Sequence, residues 1–301
     1  MEKRGMAKAV FVIILTGILA SVSHAQHGIL SFENGKVWLK DIYLDDHYYG
    51  ADSVGVSQVR ADYAVRIMVD TVQGIVVEQL AALEAGKAVS RFCTVAYKSL
   101  DSMLKSSNST KSLILSGKGG YIRSQIKYSP SFYSMYFQNY PRQGKLTCTG
   151  RVCNTDFKYE EDLPEMDWVI HGNTDTLLGY AVQKATCCFR GREYEAWFAS
   201  GLPLSSGPWK FSGLPGLILK VSDSKGHYSF TAEAIYRGGE AIEIPSYLYL
   251  KTTRDKYMEA VLMSMTEQFK AANLYLKDIV VRPHEGTPLK EEMKFDFMEK
   301  L

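Results

Sequence analysis

Two glutamates and two arginines in one short stretch are the residues best suited to chemistry. Glu193 and Glu195 lie two positions apart, with Arg190 and Arg192 just before them. On a strand, residues two apart share a face, so both carboxylates would meet the same site. Paired carboxylates near cations suit general acid–base catalysis. Solvated charges on a hairpin give the same pattern, and no nucleophile with its base accompanies them. We therefore predict no catalytic residue and keep an enzyme using 193–197 as an alternative.

Histidines suggest metal handling as a second alternative. Asp46 and His47 are adjacent in one stretch, and His171 and His227 stand far from them. A protein-bound zinc ion needs three or four such ligands, and the sequence shows neither a His-x-His pair nor a carboxylate cluster. The sequence therefore predicts no metal site and no cofactor.

The five cysteines match no zinc pattern and fit disulfide chemistry better. Cys148 and Cys153 flank residues 149–152, which we expect to form a tight turn, so we predict a bridge between them. Cys187 and Cys188 are adjacent and would face opposite sides of a strand, which disfavours pairing with each other. The odd number leaves at least one thiol unpaired or paired between chains.

Aromatic side chains support a different hypothesis, a ligand-binding face. Trp197 follows the glutamates, Trp209 and Phe211 come next, and Tyr133 lies in an aromatic-rich run. Side chains of this kind line pockets for acyl chains or peptides. They also fill ordinary cores, and that interpretation is at least as strong for each of them. We predict these four as binding residues and leave the core role open.

The stretch 207–219 is rich in residues that constrain the backbone. Its glycines can take positive φ or let another backbone approach, and its prolines do not suit a central strand. We expect a rigid bend that steers strand 193–199 into strand 217–221, with a structural role more than a contact role. Valine at Gly213 or Gly216 should then lower stability more than a surface change does. The residues of this structural motif are Gly207, Pro208, Gly213, Leu214, Pro215, Gly216, Leu217 and Ile218.

The N-terminus has the pattern of a signal peptide. Basic residues at 3, 4 and 8 precede an apolar run over 9–19, and Ser23-His24-Ala25 supplies small residues for cleavage after Ala25. The apolar run is shorter than the roughly 20 residues needed to span a bilayer. We expect residues 1–25 to be removed. The mature chain would be exported to the periplasm, or associated with the outer membrane, without a transmembrane span.

The elements that must position these side chains are mainly strands. Apolar and polar residues alternate over 61–69, 193–199 and 227–236, with turn residues between such runs. Residues 76–85 are ambiguous, because their composition favours a helix while the following Gly-Lys suggests a hairpin. Apolar residues spaced by four predict a helix within 253–272. We predict a mainly β (β-rich α+β) fold with one large curved antiparallel meander sheet, half-barrel-like in shape, and a C-terminal helix packed against it.

The run from Trp168 to Phe230 resembles the GLPGLI family, named for the hexapeptide that stands here at 213–218. This resemblance implies an exported envelope protein of the Bacteroidetes with no assigned activity, and it supplies no catalytic residue. It extends more loosely upstream to the hairpin at 83–92. The supporting pieces are, in order, Asp167-Trp168, Gly179-Tyr180, Lys184-Ala185-Thr186, Phe189-Arg190-Gly191-Arg192, Ala196-Trp197-Phe198 and Gly207-Pro208-Trp209-Lys210-Phe211.

Residues 26–301 are predicted to form a single domain, since no linker or internal repeat interrupts them. The family core would cover about 60–240, with the C-terminal helix and tail at 253–301. A net charge of +2 is too small to indicate a nucleic-acid partner. The leading hypothesis is a non-catalytic binding, assembly or carrier module of the cell envelope. Its partner would be an envelope or outer-membrane protein, or a hydrophobic or peptide ligand held on an aromatic inner face.

Overall fold

Strands dominate the protein, as the alternating pattern predicts. The computed structural model describes residues 29–33, 36–40, 50–71, 74–95, 97–99, 102, 105, 134–152, 155–264 and 298. In chain order the strands are β1 (Ile29–Glu33), β2 (Lys36–Lys40), β3 (Ala51–Val56), β4 (Val59–Asp70), β5 (Ile75–Ala85), β6 (Ser90–Thr94), β7 (Ser134–Gln138), β8 (Lys145–Val152), β9 (Thr155–Asp162), β10 (Val169–Leu177), β11 (Tyr180–Phe189), β12 (Arg192–Ala199), β13 (Leu217–Asp223), β14 (Tyr228–Arg237), β15 (Ala241–Pro245) and β16 (Leu250–Lys251). Helical residues lie at 95, 97–99, 102 and 105 and, as the C-terminal helix, at 254–264.

Twelve strands form one sheet in the order β10-β11-β12-β13-β14-β4-β5-β6-β7-β8-β9-β16. Two meanders, β4 to β9 and β10 to β14, join where β14 pairs antiparallel with β4. Every pairing in this sheet is antiparallel except that of the two-residue β16 with β9. Two smaller sheets pair β1 with β2 and β15 with β3. The predicted fold class, a large antiparallel meander sheet with a C-terminal helix, is confirmed.

The sheet is strongly curved. β10 is first and β9 eleventh in the order, ten strand spacings apart, which would be about 48 Å in a flat sheet. Only residues 163–168 connect β9 to β10, and seven extended steps reach at most about 25 Å. An ion pair of 3.0 Å between Arg190, in the β11–β12 turn, and Glu161, near the end of β9, shows how close the two ends come. The open sheet therefore has an inner and an outer face, as a half-barrel does.

The connection between β12 and β13 fills much of the inner face. Residues 207–216, named the plug here, leave the sheet after β12 and return to it at β13. Trp209 and Phe211 of the plug belong to the main hydrophobic core, together with Phe230 of β14 and Tyr194 of β12. The ring of Phe211 lies 4.8 Å from that of Tyr194 and 6.2 Å from that of Phe230. The plug is thus part of the core and more than a corner between two strands.

The C-terminal helix covers another part of the same face. Tyr257 and Val261 are buried against Leu146 and Cys148 of β8 and Tyr159 of β9. A Cβ atom at position 150 of β8 would stand 2.1 Å from the Tyr257 hydroxyl, so glycine there makes room for the helix. Helical spacing in the sequence found this element, and the glycine on the facing strand shows why it docks where it does.

A second layer lies on the outer face of β6 and β7. Cys93, Met135 and Phe137 pack there against Ile242 and Ile244 of β15, which pairs with β3. A charge network crosses the same layer. The buried Glu84 of β5 forms ion pairs with Arg91 of β6 and with Lys98. Lys98 forms a second ion pair with Glu240.

Strand pairing decided the local structure of two segments whose sequence was ambiguous or misleading. Residues 76–85, ambiguous in sequence, lie in β5 and pair with β4 and β6. Residues 149–152, expected as a turn, instead end strand β8. That part of the sequence interpretation was wrong, because cross-strand pairing with β9 holds these residues extended. Within the described part of the chain, no helix is long and apolar enough to cross a membrane.

Several predictions fall on residues outside the described ranges: the signal peptide at 1–25, Asp46 and His47, Tyr133, and Cys153. The bridge between Cys148 and Cys153 therefore stays a prediction. The extended backbone from Cys148 to Val152 counts against it. Four steps along a strand cover about 13 Å, whereas bridged Cα atoms lie within about 7 Å.

Candidate functional site

Two of the predicted binding residues lie in the plug and are buried there. Trp209 and Phe211 are 3% and 0% exposed, and their rings contact each other at 5.3 Å. Phe189 of β11 and Tyr136 of β7 enclose Trp209 from two sides of the curved sheet. The hypothesis of a hollow aromatic face therefore has no support here, because these rings fill the space that a ligand would need.

Hydrogen bonds fasten the plug to the strands around it. The Gln138 amide donates to the carbonyl oxygens of Trp209 and Phe211 at 3.3 and 3.0 Å. Its oxygen accepts from Ser206 at 3.2 Å. The Trp168 indole donates to the Ser212 carbonyl at 2.8 Å. An irregular segment can be buried only if its backbone polar groups find partners, and these side chains supply several of them.

The glycines of the plug have different tasks. Gly213 has φ of +95°, a conformation that side-chain-bearing residues rarely adopt. Gly216 is needed for space, because a Cβ atom there would lie 2.2 Å from the Ala199 carbonyl oxygen. Trp209 also has positive φ, +55°, without being glycine. Such backbone strain persists only where surrounding contacts impose it, as the burial of the indole does here.

Lys210 is a buried charged residue that the sequence did not single out. Its side chain is only 2% exposed, and its ammonium lies 2.6 Å from a Glu161 carboxylate oxygen. The rings of Tyr136, Tyr159 and Trp209 surround the ammonium at 5.5 to 5.9 Å. Lysine is almost never fully buried unless paired. A lysine between Trp209 and Phe211 in an otherwise apolar segment was the signal available in the sequence.

Glu161 joins three parts of the fold at this point. It lies on β9, accepts from Lys210 of the plug, and accepts from Arg190 of the β11–β12 turn at 3.0 Å. A carboxylate and the faces of aromatic rings both attract these cations and hold them in place. This arrangement closes the curved sheet over its plug, and its geometry is that of a structural lock.

The four charged candidates for catalysis do not form one site: Glu193 and Glu195 share the outer face of β12, as expected for residues two apart, but the two arginines lie elsewhere. Arg192 lies on the inner face, buried in an ion pair with Asp223 at 2.8 Å. Arg190 is engaged by Glu161. Glu195 lies on the outer face, where the Lys184 ammonium donates to it at 2.6 Å. The hydrogen bond from Lys184 lowers the pKa of Glu195, which disfavours its use as a general base near neutral pH.

Trp197, the remaining predicted binding residue that the structure describes, lies on the outer face and is partly buried. It alternates with the buried Ala196 and Phe198, and its register partners are Lys184 of β11 and Lys220 of β13. The Trp197 indole donates to Glu195 at 2.9 Å. Trp197 and Trp209 therefore lie on opposite faces, so the predicted set does not form one site.

Other features give no reactive constellation. A polar surface cavity of about 310 Å³ is lined by Arg60, Asp62, Tyr236, Arg237 and neighbouring residues. Arg60 there already forms an ion pair with Asp62 at 2.9 Å. His171 lies 2.8 Å from the Thr186 hydroxyl. Among the described residues, no group of three or more His, Cys, Asp or Glu side chains is placed to hold a metal ion.

The comparisons with known proteins assign no activity to the chain. No curated protein matches it. Two structures of PNGF-II, in space groups C2 and P21, are similar with a TM-score of 0.48 at 14% identity, over 68% and 69% of this chain. They cover 33% and 34% of the PNGF-II chain, so this chain spans about a third of its length. An uncharacterized conserved protein from Thermus thermophilus gives a TM-score of 0.35 at 11% identity, over 65% of this chain and 90% of that one. A family model described as a protein of unknown function (Porph_ging) matches residues 189–220, so β12, the plug and the start of β13 are similar to that family.

Proposed function

We propose that the protein is an exported, non-catalytic binding module of the cell envelope that holds its partner on its outer surface. One observation carries this proposal. Trp209 and Phe211, the aromatic residues that would line an internal ligand cavity, are buried against other core rings. A carrier that encloses an acyl chain needs an apolar cavity of several hundred cubic ångströms, and the plug occupies that position.

The export part of the proposal rests on the N-terminal sequence. The basic, apolar and small-residue regions at 1–25 have the order of a signal peptide. Periplasmic or outer-membrane-associated protein is the location that we propose.

The outer face of β11 to β14 is the surface that we propose for binding. It carries Trp197, and no layer like the β3–β15 pair on β6 and β7 is described over it. Partly exposed aromatic residues are common in binding surfaces because they offer a large rigid contact area. The sequence predicted a ligand on an aromatic inner face, and we propose the outer face instead.

In-cell photocrosslinking tests this proposal. A photoreactive benzoylphenylalanine would replace Ser222 or Thr231 on the proposed surface, and the exposed Lys251 on β16 as the control. We expect light-dependent adducts from positions 222 and 231 in the envelope of the producing bacterium, and none from 251. Native mass spectrometry of the mature chain should show the mass of the polypeptide alone. A bound lipid mass, or equal adducts at all three positions, would contradict the proposal.

A further inference from the structure

We propose that the outer face around Trp197 binds an acidic saccharide, with a sugar ring against the indole and its anionic group at Lys220. This inference rests on the proposed function, because it names the ligand class of that same surface. The site would consist of Trp197 and Glu195 on β12, Lys184 on β11, and Lys220 with Ser222 on β13.

The indole of Trp197 is held in one orientation. Lys184 donates to one oxygen of Glu195 at 2.6 Å, and the Trp197 indole donates to the other at 2.9 Å. The three residues thus form a chain across two strands, so the ring loses little conformational freedom when a ligand arrives. Preorganised contacts of this kind lower the entropic cost of binding. Trp197 is half-buried and packs in part against the main core, and the part of this fixed side chain that stays exposed is where a sugar ring would lie.

Polar groups beside the ring are left unused by the protein. Within the described ranges, Lys220, Ser222 and Thr231 form no side-chain hydrogen bond or ion pair, and each is partly exposed. Ser222 and Lys220 lie on the strand next to Trp197, and Thr231 pairs in register with Lys220. Hydroxyls both donate and accept hydrogen bonds, as the hydroxyls of a saccharide require. An apolar peptide would leave them without partners.

The charge near the ring favours an anion. Two lysines, 184 and 220, flank Trp197 in the cross-strand register, and Glu195 accepts from its indole, so these three charged side chains together carry one positive charge. Lys184 is neutralised by Glu195. The hydrogen bond from Lys184 is the main cause of the lowered pKa of Glu195, the charge of Lys220 adds to it, and among the described residues Lys220 forms no ion pair with that carboxylate. A carboxylate on the saccharide would supply the partner that Lys220 lacks among the described residues.

Isothermal titration of the mature chain with trigalacturonate, at low ionic strength, tests the inference, with neutral maltotriose as the matched probe. We expect trigalacturonate to bind, and maltotriose to bind at least tenfold more weakly. Lys220→Gln, which keeps a similar shape and removes the charge, should weaken trigalacturonate binding at least fivefold and abolish the preference over maltotriose. Trp197→Leu should weaken both saccharides. Lys251→Gln, the same charge change at an exposed residue of β16 outside the proposed site, should leave binding unchanged.

Three outcomes would overturn the inference: no heat with trigalacturonate, equal affinity for the two probes, or the same affinity for Lys220→Gln and Lys251→Gln. A Trp197→Leu protein that fails to fold would not affect the test, since Lys220→Gln carries it. If crosslinks still form at 222 and 231 while trigalacturonate does not bind, only the ligand class is wrong. If both experiments fail, the proposed function falls as well. If the adducts at position 222 contain peptide, the ligand of this surface is a protein and the saccharide inference is wrong.

Discussion

The glycine at 216 should be the least replaceable residue of the plug. In Gly216→Ala the new Cβ atom would stand 2.2 Å from the Ala199 carbonyl oxygen and 2.6 Å from its carbon. Both atoms are backbone at the end of β12, and Ala199 pairs in register with Leu217. Relief therefore requires a shift of paired strands and cannot come from a rotamer change. Overpacking costs typically about 1–3 kcal/mol, and we expect the upper end of that range for this variant.

Two further glycines separate crowding from backbone conformation. Gly213→Ala meets only the Trp168 ring at 3.6 Å, an ordinary contact, but it must adopt φ of +95°. We expect a loss of about 1–2 kcal/mol, the cost of a left-handed residue with a side chain. Gly201→Ala, two residues beyond β12, has no atom within 4 Å of the new Cβ and no positive φ. Its stability should stay the same or rise by up to about 1 kcal/mol.

Urea unfolding of the three mature variants, followed by tryptophan fluorescence, gives the order directly. The expected order of destabilisation is Gly216→Ala, then Gly213→Ala, with Gly201→Ala at or above the wild-type midpoint. Unchanged m-values would show that the comparison concerns stability alone. If Gly216→Ala unfolded at the same urea concentration as the wild type, the close approach of residue 216 to the Ala199 backbone would be refuted. The placement of the plug against β12 would then be wrong as well.

Two other perturbations test buried groups. Glu161→Gln should cost about 3–5 kcal/mol in urea unfolding, because it leaves the buried Lys210 ammonium without its carboxylate. Adding Lys210→Met should recover part of that loss, whereas Asp162→Asn, at an exposed ion pair, should change little; additive losses would argue against the lock. Burial raises the pKa of the Tyr257 hydroxyl well above its usual value. Above pH 10 this hydroxyl therefore ionises in the unfolded chain but not in the folded one, and the free energy of unfolding falls. Between pH 9 and pH 11 the wild type should lose about 1.4 kcal/mol more than Tyr257→Phe, and parallel pH profiles would show that the ring is not buried.

Period-two alternation predicted most of the sheet because it is a local signal. Strand 193–199 was predicted with Tyr194, Ala196 and Phe198 on one face, and all three are buried in β12. Where composition and context disagreed, as over 76–85, pairing with β4 and β6 decided for a strand. The turn expected at 149–152 failed for the same reason, because β9 offers a partner that no local pattern reveals. The motif glycines were found from composition, but the sequence could not separate positive φ at Gly213 from crowding at Gly216.

The candidate site depends on contacts that local patterns do not encode. The sequence alone determined that the protein is β-rich, that it carries an export signal pattern, and that 207–219 is a constrained aromatic segment. Only the tertiary structure decided that Trp209 and Phe211 face inward and that Trp197 faces outward. It also decided that Arg190 forms an ion pair with Glu161. Partners such as Lys210 and Glu161 lie 49 residues apart and meet because the sheet curves. That curvature is a property of twelve paired strands together, so no single stretch of sequence contains it.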